Sequence, residues 1–498
     1  MSGSLGYILR AMDSSAGDAP GSSDTSDTPG TPGASAPTMT AELPQEKMTK
    51  PQKLSYGLGA LGKDLAVAMV FIYIMFFATD VAGLSPAFVG TLFLFARLWD
   101  AVNDPVMGLI VDNTRTRFGK FRPWILIGTL VNAVVMIALF TVPGEQPSPV
   151  YFAIVYVIWG MTYTIMDIPF WSMIPTLSRD KAERERIAVI PRIFAALAWL
   201  LVGALGLAAV NALGQGDQAK GFQYLAIVIA VIFIVLELIC VAKVREIVPP
   251  DPDAEKTSIK RMFMLIRRND QLVALIGTVF AFNLVIQLFG GMALYYFTYA
   301  AGNQNLFSVF TAVGGVAQII GLFAFPKLAH RIGRVRVYGL ASALPIVGLA
   351  ILFLTTIFDG FDLPLTAVAA LVINLGVGLF LGISTVMLAD VVDYGEFKFG
   401  TRNESVVFSV QPLLVKLASA FAGWFIGLGL AFIGYKANQT QSDTTILGMQ
   451  VMMIGLPALG VITGYVVYRK YYKLNGEFQD KVLHSLAAER ESISGFPV

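Results

Sequence analysis

The chain has 498 residues, 55% hydrophobic and only 14% charged, with a mean hydropathy of +0.67. Soluble domains carry about 25% charged residues, so the composition excludes a water-soluble globular protein and points to an all-α membrane protein of many spans. A formal net charge of +2 gives no basis for nucleic-acid binding, and a single cysteine, Cys240, excludes an internal disulfide framework and a cysteine-based metal centre.

Residues 1–50 are rich in Ser, Gly, Asp, Thr and Pro and are expected to be a disordered tail. No basic stretch followed by an apolar core and a small-residue cleavage site occurs there, so the tail does not read as a signal peptide; Met48 is a second potential start. Apolar runs of about 20 residues, enough to cross a bilayer as a helix, then recur. They fall near 57–82, 87–111, 123–142, 150–174, 187–210, 221–242, 271–298, 305–327, 337–357, 364–390, 405–433 and 445–468. About twelve transmembrane helices follow, as a six-helix bundle over 51–242, a charged central segment over 243–270, a second six-helix bundle over 271–468 and a tail over 469–498.

The even-numbered connections hold the basic residues, among them Arg115, Arg117, Lys120, Arg122, Arg179, Lys181, Arg331, Arg334 and Arg336. The odd-numbered ones hold almost none, so the positive-inside rule predicts both termini in the cytoplasm. Arg117-Phe-Gly-Lys-Phe-Arg122 follows the second run and Arg331-Ile-Gly-Arg-Val-Arg336 follows the eighth. The same pattern at equivalent places implies a duplicated architecture with a site between the halves near the midplane.

Several charges fall inside the apolar runs. An ionised group at that depth costs about 2.5–3.5 kcal/mol on insertion scales, which marks it as functional by default. In the first run, Lys63 reads as a residue that snorkels to the interface and Asp64 as a candidate ligand group. In the second, Arg97, Asp100, Asn103 and Asp104 lean to one side of a helix, an oxygen-rich cluster suited to an ion. In the fourth, Thr164, Asp167 and Trp171 share a face. A carboxylate for vicinal hydroxyls beside an indole for the apolar face of a pyranose suits a sugar, although Trp171 also fits an interfacial belt. Arg192 reads equally as a ligand group or a cytoplasmic-side arginine, and Lys416, deep in the eleventh run, needs a counter-charge from the first half. Glu237 in the sixth has no assigned role. Asp390 and Asp393, with Arg402 and Glu404 across a short connection, form either a gate of charge pairs or a solvated loop. No phosphate-cradling glycine motif is present, so ATP is not the expected energy source.

Lys63-Asp64, Arg97-Leu-Trp-Asp100-Ala-Val-Asn103-Asp104-Pro, Arg117-Phe-Gly-Lys-Phe-Arg-Pro-Trp124, Gly160-Met-Thr-Tyr-Thr-Ile-Met-Asp-Ile-Pro-Phe-Trp171 and Asp390-Val-Val-Asp-Tyr-Gly-Glu-Phe397 occur in this order. Together they resemble the glycoside–pentoside–hexuronide:cation symporters of the major facilitator superfamily, the melibiose-carrier branch in particular, from about Lys53 to Asn475. The resemblance implies a cation site for Na+, Li+ or H+ at Asp100, Asn103, Asp104 and Thr164. It implies a sugar site at Asp64, Asp167, Trp171, Arg192 and Lys416, with Tyr163 nearby. Phe380-Leu381 stands where the branch has a tryptophan and Pro412 where it has a threonine, so the distal part of the sugar is expected to differ. The regulatory domain appended to some lactose carriers is not expected after the twelfth helix.

The expected protein is thus a sugar:cation symporter of the plasma (inner) membrane. Its partners are a glycoside, a monovalent cation and membrane lipid; no enzyme activity and no cofactor beyond the coupling cation are expected. Two alternatives remain at this point: a carrier of another cargo (glucuronide, pentoside or lysolipid) and a non-transporting sugar sensor.

Overall fold

A computed structural model describes residues 48–143, 148–178, 181–246, 267–357, 363–400 and 404–494. Residues 1–47 of the predicted N-terminal tail and most of the predicted central segment lie outside the described residues, and Lys50, placed in the tail above, already begins the first helix. Residues Gln45–Val498 form one compact unit.

The described chain is all helix. Twelve long helices are α1 (Lys50–Phe76), α2 (Pro86–Asp112), α3 (Arg122–Leu139), α4 (Pro149–Ser172), α5 (Lys181–Gly214), α6 (Gln218–Lys243), α7 (Asp270–Tyr295), α8 (Asn305–Ile332), α9 (Arg334–Ile357), α10 (Leu363–Phe399), α11 (Glu404–Phe432) and α12 (Asp443–Tyr471). Eleven of them are long and apolar enough to cross a membrane. The exception is α2, which has the length but carries Arg97, Asp100, Asp104 and Asp112. The helix least suited to lipid by composition thus carries four charges, of which Asp100 is buried.

Packing shows the duplication. Helix α1 packs on α5 and α6 as α7 packs on α11 and α12, and α2 lies on α4 as α8 lies on α10. The halves α1–α6 and α7–α12 meet where α2 crosses α11 and α5 crosses α8, two contacts that interchange under the same repeat. Helices α1 and α7 both end in a π-helical turn, Phe77–Val81 and Tyr296–Ala300.

The sequence repeat has a conformational reason. Gly119 and Gly333 sit at equivalent places with φ of +104° and +82°, a region costly for residues with a Cβ. Gly119 is also crowded. The Glu246 carboxylate accepts from the backbone N–H groups of Lys120 and Phe121, each at 2.9 Å, and a Cβ on Gly119 would lie 2.4 Å from its Oε1, whereas one on Gly333 meets nothing within 4 Å. Gly333→Ala is expected to cost about 1–2 kcal/mol, and Gly119→Ala more, because it also expels Glu246. Thermal unfolding of the two purified variants checks the order; equal losses would show that the Glu246 cap contributes nothing.

Both termini of the helical bundle lie at the end that carries the arginine-rich connections, hereafter the basic end. There Lys53 of α1 pairs with Glu183 of α5 at 2.6 Å. Beyond α12 the expected tail is in fact a helix, α13 (Glu477–Ser494). Its Gln479 donates to Asp390 at 2.7 Å, which docks it on the second half. At the opposite end Asp217 caps α6 by accepting from the Lys220 backbone N–H at 3.1 Å. That backbone hydrogen bond holds the Asp217 carboxyl below its usual range.

Candidate functional site

Charged groups converge from α1 and α4 at the middle of the first half. Lys63, with 2% of its side chain exposed, places its ammonium 2.8 Å from Asp167 Oδ1 and 3.0 Å from Asp64 Oδ2. It is not a snorkelling residue. The ammonium also lies over the Trp171 ring, 5.0 Å from the centroid, and over Phe170 at 5.2 Å, where ring quadrupoles favour a cation. Trp171 Nε1 donates to Asp167 Oδ1 at 3.1 Å and the Tyr163 hydroxyl does so at 3.4 Å. Trp171 thus faces the cluster rather than a lipid belt. Helical spacing explains this, because Tyr163, Asp167 and Trp171 are successive i,i+4 neighbours on α4. Trp199 of α5 approaches Asp64 from the other side.

One turn away on α4 stands Thr164, whose hydroxyl donates to Asp104 Oδ1 at 3.1 Å. Asp104 Oδ2 accepts from the Lys416 ammonium of α11, so the counter-charge expected for Lys416 comes from α2 and the bond joins the two halves. Asp100 turns aside to Arg97, at 2.8 Å. The Asn103 amide nitrogen is buried without a hydrogen-bond partner among the described residues. Two carboxylates, an amide and a hydroxyl are hard donors suited to an alkali ion. Asp104 and Thr164 are already in contact, while Lys416 holds a position that such an ion would take. Pro105, Pro169 and Pro412 lie inside α2, α4 and α11 close to these groups, each removing one helical N–H near the charges.

Not every expected residue joins. Arg192 stands exposed on α5 and makes no hydrogen bond or ion pair among the described residues. Of the proposed gate, Asp390 is engaged within its own half, by Arg334 at 3.0 Å, by Gln479 and by the Tyr472 hydroxyl at 3.4 Å. Arg402 and the side chain of Glu404 lie outside the described residues. Glu237 packs beneath α1, with Oε2 at 3.1 Å from where a Gly59 Cβ would stand and neither oxygen hydrogen-bonded among the described residues.

At the opposite end the halves are bonded by a cluster that sequence reasoning missed. Asp80, in the π turn after α1 and 5% exposed, accepts from Tyr299 of the turn after α7, from Tyr435 at 2.5 Å and from Thr79 at 2.6 Å. Thr79 hydrogen-bonds Tyr295 at 2.6 Å, and Asn438 donates to the Asp80 carbonyl at 2.6 Å. Asp80 lies near the end of an apolar run, where a carboxylate reads as interfacial, and its partners are remote in sequence.

Two repeated six-helix halves, with a buried ion cluster inside the first and the Asp104–Lys416 ion pair joining the two, define a membrane transporter of the major facilitator superfamily. A solved bacterial homologue of the human lysosomal transporter Spinster, inward-facing and unoccupied, shares this fold with a TM-score of 0.65 at 14% identity, covering 86% of this chain and 100% of that one. The chain belongs to the family described as MFS/sugar transport protein, whose profile it matches over residues 55–476. It is a transporter, not an enzyme. It is 31% identical over 447 residues to the inner membrane symporter YicJ of Escherichia coli K12, covering 89% of this chain and 96% of that one. It is 32% identical over 432 residues to the isoprimeverose transporter of Lactiplantibacillus pentosus, covering 86% and 90%. The lactose permease of Lactobacillus delbrueckii subsp. bulgaricus is 29% identical over 458 residues, covering 88% and 72%.

Proposed function

We propose that the protein carries a glycoside inward across the plasma membrane, coupled to Na+, Li+ or H+. The observation that carries this reading is the shared helix α4, which supplies Asp167 and Trp171 to one cluster and Thr164 to the other. The Asp64–Lys63–Asp167 cluster with Trp171 offers charged hydrogen-bonding groups and an aromatic face for a pyranose of the melibiose type. Asp100, Asn103, Asp104 and Thr164 would take the cation, which would displace the Lys416 ammonium from Asp104. Lys416, once released, becomes available to the sugar. Ordering α4 from one site favours binding at the other. Such coupling is typically about 1–3 kcal/mol and is reciprocal.

With the basic end in the cytoplasm by the positive-inside rule, the Asp80 cluster closes the outer end. Alternation then requires breaking that cluster while the basic end closes. In this reading Asp390, Asp393, Arg402 and Glu404 contribute to that second closure.

In membrane vesicles carrying Asp104→Cys, sodium is expected no longer to raise sugar affinity. A sodium effect equal to that of the parent protein would remove Asp104 from the cation site. Uptake of a glycoside panel with and without sodium at fixed pH identifies the cargo and the ion.

A further inference from the structure

Glu237 of α6 is a carboxyl group that the transport reading leaves unused. It is 1% exposed and lies on the face that α6 turns to α1, together with Phe233, Leu236 and Cys240. Two glycines of α1 let the helices meet closely there. A Cβ on Gly62 would lie 3.1 Å from the Leu236 Cβ. One on Gly59 would lie 2.8 Å from the Cys240 Cβ and 3.1 Å from Glu237 Oε2. The carboxyl group thus lies against the α1 backbone, and neither oxygen has a hydrogen-bond partner among the described residues.

The groups around it are engaged elsewhere. On α1 the Tyr56 hydroxyl donates to the Phe170 carbonyl at 2.8 Å, and the Lys63 ammonium is held by Asp64 and by Asp167 of α4. On α3 the Arg122 guanidinium donates through Nε to the Val241 carbonyl at 2.7 Å. On α5, Glu183 is paired with Lys53 and Arg192 stands exposed. Cys240, one turn along α6, is a buried thiol. An ionised Glu237 would have lost its water and gained no donor, the least favourable state for a buried charge. A proton removes that charge.

Charge balance points the same way. The single Lys63 ammonium already faces two carboxylates, and its charge and theirs act on Glu237 through space. Gly59 precedes Lys63 by four residues, one turn of the same face of α1. An ionised Glu237 would draw the ammonium away from Asp167. Because α1 and α6 pack within one half, movement between the halves does not open this site.

We infer that Glu237 is a proton-binding site between α1 and α6, and that its neutral form keeps Lys63 on Asp64 and Asp167. This proton is distinct from the coupling cation, whose proposed ligands lie on α2 and α4. The effect on sugar rests on the proposed site at Lys63, Asp64 and Asp167, whereas the proton itself does not.

Two measurements on the purified full-length protein test it. Infrared difference spectra at neutral pH, parent minus Glu237→Gln, are expected to show the carbonyl stretch of a protonated carboxylic acid. A difference in the carboxylate bands instead would overturn the site. Binding of methyl α-galactoside to Glu237→Gln, which copies the neutral form, is expected to stay within about twofold of the parent at neutral pH, because a protonated carboxyl and an amide present the same charge. A loss of about tenfold or more would show that the cluster needs an ionised Glu237 and would overturn its role. Where rising pH removes the infrared band, the parent is expected to lose about tenfold in affinity per further pH unit, as only the protonated fraction binds, and the variant to lose less. Parent affinity that survives loss of the band would also overturn the role, while a band that persists as long as the protein stays folded supports the site. Should the glutamine variant not fold, Glu237→Met, uncharged and of similar volume, takes its place. Failure of the parent to bind any glycoside would overturn the sugar reading instead and leave the infrared band to decide the proton site.

Discussion

Lys63→Met is expected to abolish sugar uptake and to cost about 3–5 kcal/mol of stability, the range measured when one partner of a buried ion pair is removed. The ammonium lies within 3.0 Å of carboxylates on two helices, and its removal leaves both carboxylates facing each other in a poorly solvated site. The stability loss and the transport loss have different origins. In Lys63→Met/Asp167→Asn one of the two unpaired carboxylates is gone and Asp64 remains, so thermal stability in detergent is expected to recover in part. Uptake is not expected to recover, because the group that aligns Asp167, Tyr163 and Trp171 is still missing. Full uptake by Lys63→Met would remove the cluster from the transport pathway. Parallel recovery of stability and uptake in the double variant would make its role purely structural.

Gly427→Val is expected to arrest transport by a different route, with sugar binding retained. Helix α11 meets α2 at glycine on glycine: a Cβ on Gly427 would lie 2.3 Å from the Pro86 carbonyl oxygen and 2.7 Å from the Gly90 Cα. Both obstacles are backbone, so no rotamer change relieves them, and the closed arrangement at that end becomes inaccessible. The nearby Asp80 cluster cannot then form across the halves. Labelling gives a direct readout, since Cys240 is buried and a cysteine placed at Ser419, half-buried on the wall of the cavity that both halves line, is the reactive thiol. In Gly427→Val that thiol is expected to react with a membrane-impermeant reagent added from the outside and to do so regardless of sugar. Asp80→Asn, which removes charge but little volume, should weaken closure without preventing it, raising outside labelling to an intermediate level. Unaltered labelling and uptake in Gly427→Val would show that α2 and α11 do not need to approach this closely.

Much of the site was legible because lipid makes charge conspicuous. Asp64, Asp100, Asp104, Asp167 and Lys416 each interrupt an apolar run, and helical spacing alone put Asp167 and Trp171 on one face. What the pattern could not say was who pairs with whom. Lys63 was read as an interfacial residue because a long basic side chain near a helix end usually reaches for water; its burial follows from Asp167 on α4, distant in sequence. Arg192 carries the same chemistry as Lys63 yet stays exposed, a difference that no local signal encodes. Asp80 was quieter still, because its place depends on hydroxyls contributed by two remote turns.

The amino-acid sequence by itself determined the membrane class, the number and placement of the helices, their duplication and which helices carry charge. Each of these depends on hydropathy and spacing within about twenty residues, and a bilayer reads those directly. Tertiary structure alone decided that Lys63 binds two carboxylates, that Lys416 closes on Asp104 and that the halves are bonded through Asp80. Those partners lie between 104 and 358 residues apart for the pairs Lys63–Asp167 and Asp80–Asn438, and only the crossing of helices brings such groups within hydrogen-bonding reach.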